Sequence, residues 1–326
     1  MRVLAGGIGH IGAQQVAGAG HSPDGDGCAV QGDGAAELQA AQQAVVDMPQ
    51  AAEQLPDGKT VLSGGFLSRL KFRGAITVNG APVTVRFVPR PGDLLAADVS
   101  DLPGENPHIQ PVDYPLDILY EDEDLLLINK PAGIAMHPAA LTEEPVTIAG
   151  AVAHYLRTDC FHAVNRLDRG TTGVMATAKT GYIHALCMAQ LHTDAFQRDY
   201  RAVCEGVPVP GEGDIDLPLG RAEGSLLKRC PDPQGLPAHT HYEVLAAANG
   251  RALLRLTPTT GRTHQLRVHL AAIGHPLTGD WLYGAEDKSL IARPALHSYE
   301  LWLHHPLTDQ LLHITAPLPE DMRCLL

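Results

Sequence analysis

Residues 164–173 read Val164-Asn165-Arg166-Leu167-Asp168-Arg169-Gly170-Thr171-Thr172-Gly173 and lie between two apolar runs. The second of these runs follows at 174–178. This pattern predicts two strands joined by a Gly/Thr turn, with Asp168 at the tip. Strand alternation places Val164, Arg166 and Asp168 on one face of the first strand. The sequence therefore predicts a carboxylate fixed in a cleft beside a guanidinium. The alternative is an aspartate that caps its own turn.

Two later segments are predicted to form strands, and polar side chains lie in the first strand and directly after the second. Residues 196–203 predict a strand that carries Tyr200 among charged side chains. Residues 253–258 predict another strand, which ends in a turn at Gly261.

A short helix is predicted directly after that turn, at 262–273, and Gly274 ends it. Leu266, Leu270 and Ile273 recur at helical spacing and form its apolar stripe. Arg267 lies beside this stripe, where an unpaired charge would be costly. We therefore expect a carboxylate partner for Arg267.

The chain resembles the RluA-type pseudouridine synthases in four blocks that occur in family order between residues 116 and 320. The blocks are Asn129-Lys130-Pro131-Ala132-Gly133 with His137-Pro138, then Arg166-Leu167-Asp168 through Thr172-Gly173, then Tyr200, and last Gly261-Arg262-Thr263-His264-Gln265-Leu266-Arg267-Val268-His269-Leu270 with Gly274-His275-Pro276-Leu277-Thr278-Gly279-Asp280. Two positions depart from the family pattern. Asn165 stands where the family usually has histidine, and Thr172 where serine is common.

Strands outnumber helices in the pattern after residue 116, which indicates an α+β fold with a mixed, mainly antiparallel sheet in the catalytic domain. The resemblance adds a small N-terminal S4-like RNA-binding domain. It implies that Asp168 is the catalytic carboxylate, that Arg267 pairs with it, and that Tyr200 stacks on the uracil. It further implies four substrate-binding residues, namely Arg166, Leu266, Arg262 and His264. Arg166 would take part in extruding the base from folded RNA.

Pseudouridine formation detaches uracil from ribose, turns it and rejoins it through carbon. Because the reaction involves no redox change and no net hydrolysis, we expect no cofactor and no metal. It needs a carboxylate near sugar and base and a site that excludes water. Whether Asp168 attacks the sugar or the ring is left open by the sequence.

Composition and charge limit the other classes of protein. Six cysteines are scattered without a Cys-x-x-Cys pair, which argues against a zinc site and a disulfide scaffold. No apolar run has the length of a membrane span, and the first residues lack the apolar stretch of a signal peptide. We expect a cytoplasmic monomer that does not bind membranes.

The net charge of −13 is distributed unevenly along the chain. Residues 1–58 carry one basic and seven acidic side chains, residues 59–92 carry six basic and no acidic ones, and residues 93–124 carry ten acidic and no basic ones. Because the local field decides where a polyanion binds, the basic segment is compatible with RNA as the partner.

The first 57 residues predict a flexible extension, or sequence ahead of the true start with Met48 as initiator. They contain Gly7-x-Gly9-x-x-Gly12, which resembles a dinucleotide-binding fingerprint. Such a unit needs a helix and a second apolar strand that ends in an acidic residue. The glycine-rich residues at 20–27 interrupt the pattern, so we disfavour cofactor binding.

Residues 58–100 resemble the S4-type RNA-binding module. A basic helix at 67–74 carries Arg69, Lys71 and Arg73, and a hairpin is predicted from 75–80 and 82–87. These cations would contact phosphates without reading sequence. The alternative is an ordinary solvated basic helix. An acidic, proline-rich linker at 101–115 then leads to the catalytic domain at 116–326.

The expected substrate is structured RNA, with large-subunit (23S-type) ribosomal RNA first and transfer RNA second. Three alternatives belong to other classes. The chain could be an RNA-binding protein with a decayed site, a metal-dependent hydrolase using His264, His269, His275 and Asp280, or a Cys204/His264 hydrolase. The histidine spacings do not recur on one helical face, so structural hydrogen bonds are the favoured interpretation.

Overall fold

The computed structural model describes residues 75–83, 87, 88, 90, 92–101, 108–138, 144–191 and 193–326. The predicted extension at 1–57 and the basic helix with Arg69, Lys71 and Arg73 lie outside these residues. The described residues divide into two compact units. One comprises those up to Asp101 together with Thr180–Ala185, and the other comprises the rest.

The first unit contains β1 (Ile76–Val78), β2 (Ala81–Pro82) and β3 (Leu95–Ala97). These strands form an antiparallel sheet in the order β2-β1-β3. Asn79 and Gly80 join β1 to β2 with φ angles of 51° and 80°, the left-handed geometry of a two-residue hairpin turn. The predicted hairpin is confirmed at this turn.

The second unit contains twelve strands. In chain order they are β4 (Ile118–Glu121), β5 (Leu125–Lys130), β6 (His162–Ala163), β7 (Thr172–Ala178), β8 (Phe196–Glu205), β9 (Glu212–Asp216), β10 (Leu219–Arg221), β11 (Arg229–Pro231), β12 (His239–Ala248), β13 (Arg251–Pro258), β14 (Leu296–His304) and β15 (Leu311–Thr315). The described helices are α1 (Ile148–Leu156), α2 (Gly181–Gln190), α3 (Gln265–Ala272) and α4 (Glu320–Arg323). None of these four helices is long and apolar enough to cross a membrane.

Ten of the strands form one sheet. Its main path is β4-β5-β7-β14-β8-β13-β12-β9, with β6 added beside β7 and β15 beside β14, while β10 and β11 form a separate ribbon. Within the described chain, the β7–β14 pairing is parallel and the other pairings are antiparallel. The predicted α+β class with a mixed, mainly antiparallel sheet is confirmed.

The strands predicted at 174–178, 196–203 and 253–258 are present as β7, β8 and β13. Their apolar residues supply the buried positions of the central sheet. Leu126, Leu254 and Leu256 belong to the same buried cluster as Tyr200 and Leu266. Two of the residues that the sequence selects as functional, Tyr200 and Leu266, are therefore part of the core.

The prediction of a strand at 164–168 is wrong, because these residues form no strand. After β6 the chain becomes irregular, with Val164 and Leu167 buried and Arg166 exposed, so Val164 and Arg166 do not share a face. The cause is Asn165, whose side chain accepts the Ala176 amide at 2.7 Å and donates to the Val174 carbonyl at 3.3 Å. A side chain thus replaces backbone pairing with β7, and the alternation ends.

The helix predicted at 262–273 begins later, at Gln265, and ends at Ala272. Its C-terminus leads into Gly274, which has a φ of 85° and so takes the left-handed conformation predicted for the stop. The buried surface of this helix is wider than the predicted apolar stripe, because every residue from Gln265 to Leu270 is buried. Arg267 is therefore buried with this helix instead of lying at the edge of its buried face.

Candidate active site

Asp168 lies in the loop between β6 and β7. Its backbone carbonyl accepts the Thr171 amide at 3.0 Å, which closes a tight turn, and the preceding Leu167 is buried. The Asp168 side chain is 32% exposed. The carboxylate is therefore held on a fixed loop yet is open to a solute from one side.

Arg267 reaches this carboxylate from α3. Its Nη1 lies 3.4 Å from Oδ2 of Asp168, while its own side chain is 6% exposed. The predicted carboxylate beside a guanidinium is thus present, although its partner comes from α3 and not from Arg166. Burial opposes the charge of Arg267, but the hydrogen bonds and charge of Asp280, followed by those of Asp168, raise its pKa above the ordinary value.

Asp280 is the closer partner of Arg267. Arg267 donates from Nε to Oδ2 of Asp280 at 2.7 Å and from Nη2 to Oδ1 at 2.8 Å, a bidentate geometry. Asp280 is completely buried and also accepts the amides of Leu282 and Tyr283. From the sequence, Asp280 was predicted only as an alternative metal ligand, so its role as the partner of Arg267 was missed. The signal was Arg267 itself, which required a carboxylate once it was buried.

His264 stands at the N-terminus of α3, with a φ of 58°. Its Nδ1 lies 2.8 Å from the Tyr283 hydroxyl, and its Nε2 lies 3.9 Å from Oδ2 of Asp168. Burial lowers the pKa of His264, and the charge of Asp168 only partly opposes this. His264 is therefore mainly neutral near pH 7 and borders the same carboxylate as Arg267.

Tyr200 lies on β8, in register with Leu256 on one neighbouring strand and Ser298 on the other. It is 6% exposed and packs in the core cluster with Leu266. Burial raises the pKa of its phenol, although the charge of Arg198 acts in the opposite direction. Tyr200 is thus part of the core and presents little of its ring to solvent.

Lys130 binds the loop that carries Asp168. Its side chain is fully buried, and Nζ donates to the carbonyls of Pro131 at 2.9 Å, Arg169 at 3.2 Å and Thr171 at 3.1 Å. The protonated amine has three donors and can bond to all three carbonyls. Burial nevertheless lowers the pKa of Lys130 to about 7, against the charge of Asp168.

In the sequence analysis Lys130 occurs only within a block shared with the family, and no role was predicted for it. A lysine at the end of the apolar run 125–128 was the available signal, because burial of such a strand forces the amine to find acceptors.

Two other predicted substrate-binding residues lie around these groups without a described contact to Asp168. Arg166 is exposed and lies near His137, whose pKa is lowered first by burial and then by the Arg166 charge. Arg262 is half-buried and donates from Nε to the Pro237 carbonyl at 3.0 Å. Their predicted roles stay predictions.

The histidines considered as metal ligands make other contacts. Both ring nitrogens of His269 lie at 3.0 Å from protein oxygens, one on Thr240 and one on the Leu217 carbonyl. His275 contacts the Glu205 carbonyl at 3.0 Å through Nδ1. Together with the pairing of Asp280 to Arg267, these contacts support the structural interpretation of His269, His275 and Asp280.

The chemistry of this arrangement follows from its charges. A partly exposed carboxylate lies against a buried, compensated guanidinium, with a neutral imidazole beside it, and the buried phenol of Tyr200 interacts with its charge. Such a carboxylate is held ready to act as a nucleophile or to stabilise positive charge in a bound substrate.

Comparison with known proteins shows the family of this chain. A family model described as RNA pseudouridylate synthase matches residues 124–272. The uncharacterized RNA pseudouridine synthase YjbO of Bacillus subtilis is 39% identical over 274 residues, which make up 82% of this chain and 96% of that protein. The chain belongs to the RNA pseudouridylate synthase family. It is therefore an enzyme, an isomerase that converts uridine in RNA to pseudouridine.

Other relatives support the RluA-type assignment, which is confirmed. Ribosomal large subunit pseudouridine synthase D of Yersinia pestis is 37% identical over 265 residues, 76% of this chain and 80% of that protein. The structure of human RNA pseudouridylate synthase domain containing 1 has a TM-score of 0.54 at 26% identity. It covers 65% of this chain and 89% of the human one.

Proposed function

We propose that Asp168 is the carboxylate that carries the isomerisation. The observation that supports this most directly is its 3.4 Å contact with Arg267, a guanidinium whose other donors are engaged by buried Asp280. Arg267 keeps the Asp168 carboxylate oriented. Asp168 remains one-third exposed and so can meet a nucleotide that enters from outside.

The reaction breaks the bond between N1 of uracil and C1′ of ribose, and forms a bond between C5 and C1′. The proton on C5 leaves and N1 gains one, so atoms and electrons balance without an oxidant. Asp168 acts on the electron-poor intermediate, by attack either on the sugar or on the ring. Both routes require a carboxylate fixed within contact distance of the detached base.

The remaining predicted residues have supporting parts in this proposal. Tyr200 supplies the floor beneath the uracil with the small part of its ring that is exposed, and Leu266 packs beside it. His264 donates or accepts a hydrogen bond next to Asp168. Arg166 and Arg262 contact the flanking RNA, and exposed Arg166 assists base extrusion.

We further propose that the substrate is 23S-type ribosomal RNA. Relatives named ribosomal large subunit pseudouridine synthase D support this choice. So does the basic segment with Arg69, Lys71 and Arg73, which we interpret as part of an S4-like domain at 58–100 that precedes the linker at 101–115 and the catalytic domain at 116–326. The enzyme would act as a monomer in the cytoplasm. Transfer RNA is the competing substrate.

The target is tested by mapping pseudouridines in ribosomal and transfer RNA from cells with and without this gene. The deletion strain then receives either the wild-type gene or the D168N variant. We expect a site in 23S-type RNA to lose its pseudouridine on deletion and to regain it with the wild-type gene alone. Loss in transfer RNA alone would contradict the ribosomal target. Restoration by D168N would contradict the role of Asp168.

A further inference from the structure

In the loop that follows Asp168, the backbone carbonyls of residues 169–171 accept hydrogen bonds from two buried cationic side chains, Lys130 and Arg293. Lys130 binds the first and third of these carbonyls, because its amine donates to the carbonyl oxygens of Arg169 and Thr171. The carbonyl between them, of Gly170, accepts Nη1 of Arg293 at 3.3 Å. The path of the loop is thus set by side chains from two distant segments.

Arg293 is bonded on both sides of its guanidinium. Nη1 also contacts the carbonyls of Pro294 and Leu296, each at 3.1 Å. Nε and Nη2 donate to the two carboxylate oxygens of Asp321, each at 2.8 Å. The side chain of Arg293 is 7% exposed, so this orientation is fixed within the protein.

The segment that carries Asp321 is itself anchored. Asp321 lies on α4 at the end of the described chain, where Met322 and Leu325 are buried in a cluster with Val203 and Ile291. A C-terminal helix is therefore connected, through one guanidinium, to the loop of the catalytic carboxylate.

The loop also packs closely against the segment of Arg293. A Cβ atom built on Gly170 would lie 3.0 Å from Cδ of Pro294 and 3.7 Å from Cβ of Arg293. The loop therefore rests on the same segment that supplies Arg293, which leaves little space for the loop to shift.

We propose that Arg293 is a positioning residue for Asp168 and that Asp321 sets the orientation of Arg293. The planar guanidinium can bind carbonyls with one nitrogen and a carboxylate with the other two, which a lysine amine cannot reproduce. This inference rests on the proposed role of Asp168. It adds that the C-terminal helix contributes to the chemical step without touching the substrate.

The test compares the full-length wild type with R293K, D321N and the double variant. R323Q is the matched control, because Arg323 lies on the same helix and contacts only Glu320, at 3.6 Å, among the described ion pairs. Turnover is measured as tritium release from a 23S ribosomal RNA transcript labelled at uridine C5, over a range of RNA concentrations. Backbone amide exchange is measured on the same proteins without RNA.

We expect R293K and D321N to lower kcat about 10- to 100-fold, with KM for the transcript within about twofold of wild type. The kcat of the double variant should be no lower than that of the slower single variant, because both substitutions break the same connection from Asp321 through Arg293 to Gly170. The amides of Thr171 and Gly133, which donate to the Asp168 and Arg169 carbonyls of the loop, should exchange faster, while those of β12 and β13 stay unchanged. R323Q should match wild type.

Three results would overturn the proposal. The first is a wild-type kcat in both R293K and D321N. The second is faster exchange throughout β12 and β13 as well as the loop, which indicates general destabilisation. The third is loosening of the loop without loss of kcat. If D168N is inactive while these results occur, the positioning role fails and the role of Asp168 stands. If D168N turns over normally, the proposed function itself fails.

Discussion

Arg267 is clamped to Asp280 by two hydrogen bonds of 2.7 and 2.8 Å. The contact of the same guanidinium with Asp168 is longer, at 3.4 Å. One carboxylate therefore compensates the buried charge, and the remaining donor is directed at the other. This division explains how a partly exposed aspartate can be oriented by an arginine that never leaves the core.

Replacing Asp280 tests that division. In D280N, Arg267 loses its compensating charge inside the protein, so the free energy of unfolding should fall by about 3–5 kcal/mol. Turnover should also fall, by at least about tenfold, because the guanidinium is free to move towards Asp168. Urea unfolding and tritium release measure the two effects.

The surface pair of Arg255 and Glu243, at 3.1 Å with both side chains about two-fifths exposed, provides the control. E243Q should change the free energy of unfolding by less than about 1 kcal/mol. A D280N protein as stable as E243Q would show that Asp280 does not compensate Arg267.

The titration of Lys130 gives a pH dependence of stability. Burial lowers its pKa from 10.5 to about 7, so between these values the unfolded chain binds a proton that the folded chain does not. The free energy of unfolding of wild type should therefore rise with pH in this window relative to K130M. At about 1.4 kcal/mol per unit, the gain between pH 7 and 10 is on the order of 4 kcal/mol.

Urea unfolding of wild type and K130M at several pH values measures this difference. K288M removes an exposed lysine and serves as the control, because its difference from wild type should not change with pH. A wild-type minus K130M difference that is flat between pH 7 and 10 would contradict the lowered pKa of Lys130.

Gly173 marks a close approach between β7 and β14. It has a φ of 107°, and a Cβ there would overlap the backbone of Ser298. G173A should therefore lower the free energy of unfolding by more than about 2 kcal/mol, which urea unfolding measures. Gly133 also has a positive φ, of 81°, but open space around it, so G133A should cost about 1 kcal/mol. Equal costs would mean that β7 and β14 are not this close.

The sequence predicted those parts of the fold that depend on local pattern. The runs at 196–203 and 253–258 have the length and mixed apolar composition of strands, and the second is followed by a turn at Gly261, so β8 and β13 were predictable. Asp168, Tyr200 and Arg267 were selected through the family resemblance, and the structure brings Asp168 and Arg267 into contact.

The remaining parts depend on contacts between distant segments. The pairing of β7 with β14 joins Thr172 to His297, and no local pattern specifies such a register. The irregular path after β6 arises because the Asn165 side chain bonds to β7, which strand alternation cannot reveal. The bond from Arg293 to Gly170 likewise connects segments that are far apart in sequence.

The most direct test of the central claim is turnover by D168N. Wild type, D168N and the surface control D309N are compared for tritium release from the C5-labelled 23S transcript, with circular dichroism to verify folding. We predict that D168N folds like wild type and releases tritium at least about a thousandfold more slowly, while D309N retains wild-type turnover. A folded D168N protein that releases tritium at the wild-type rate would contradict the account.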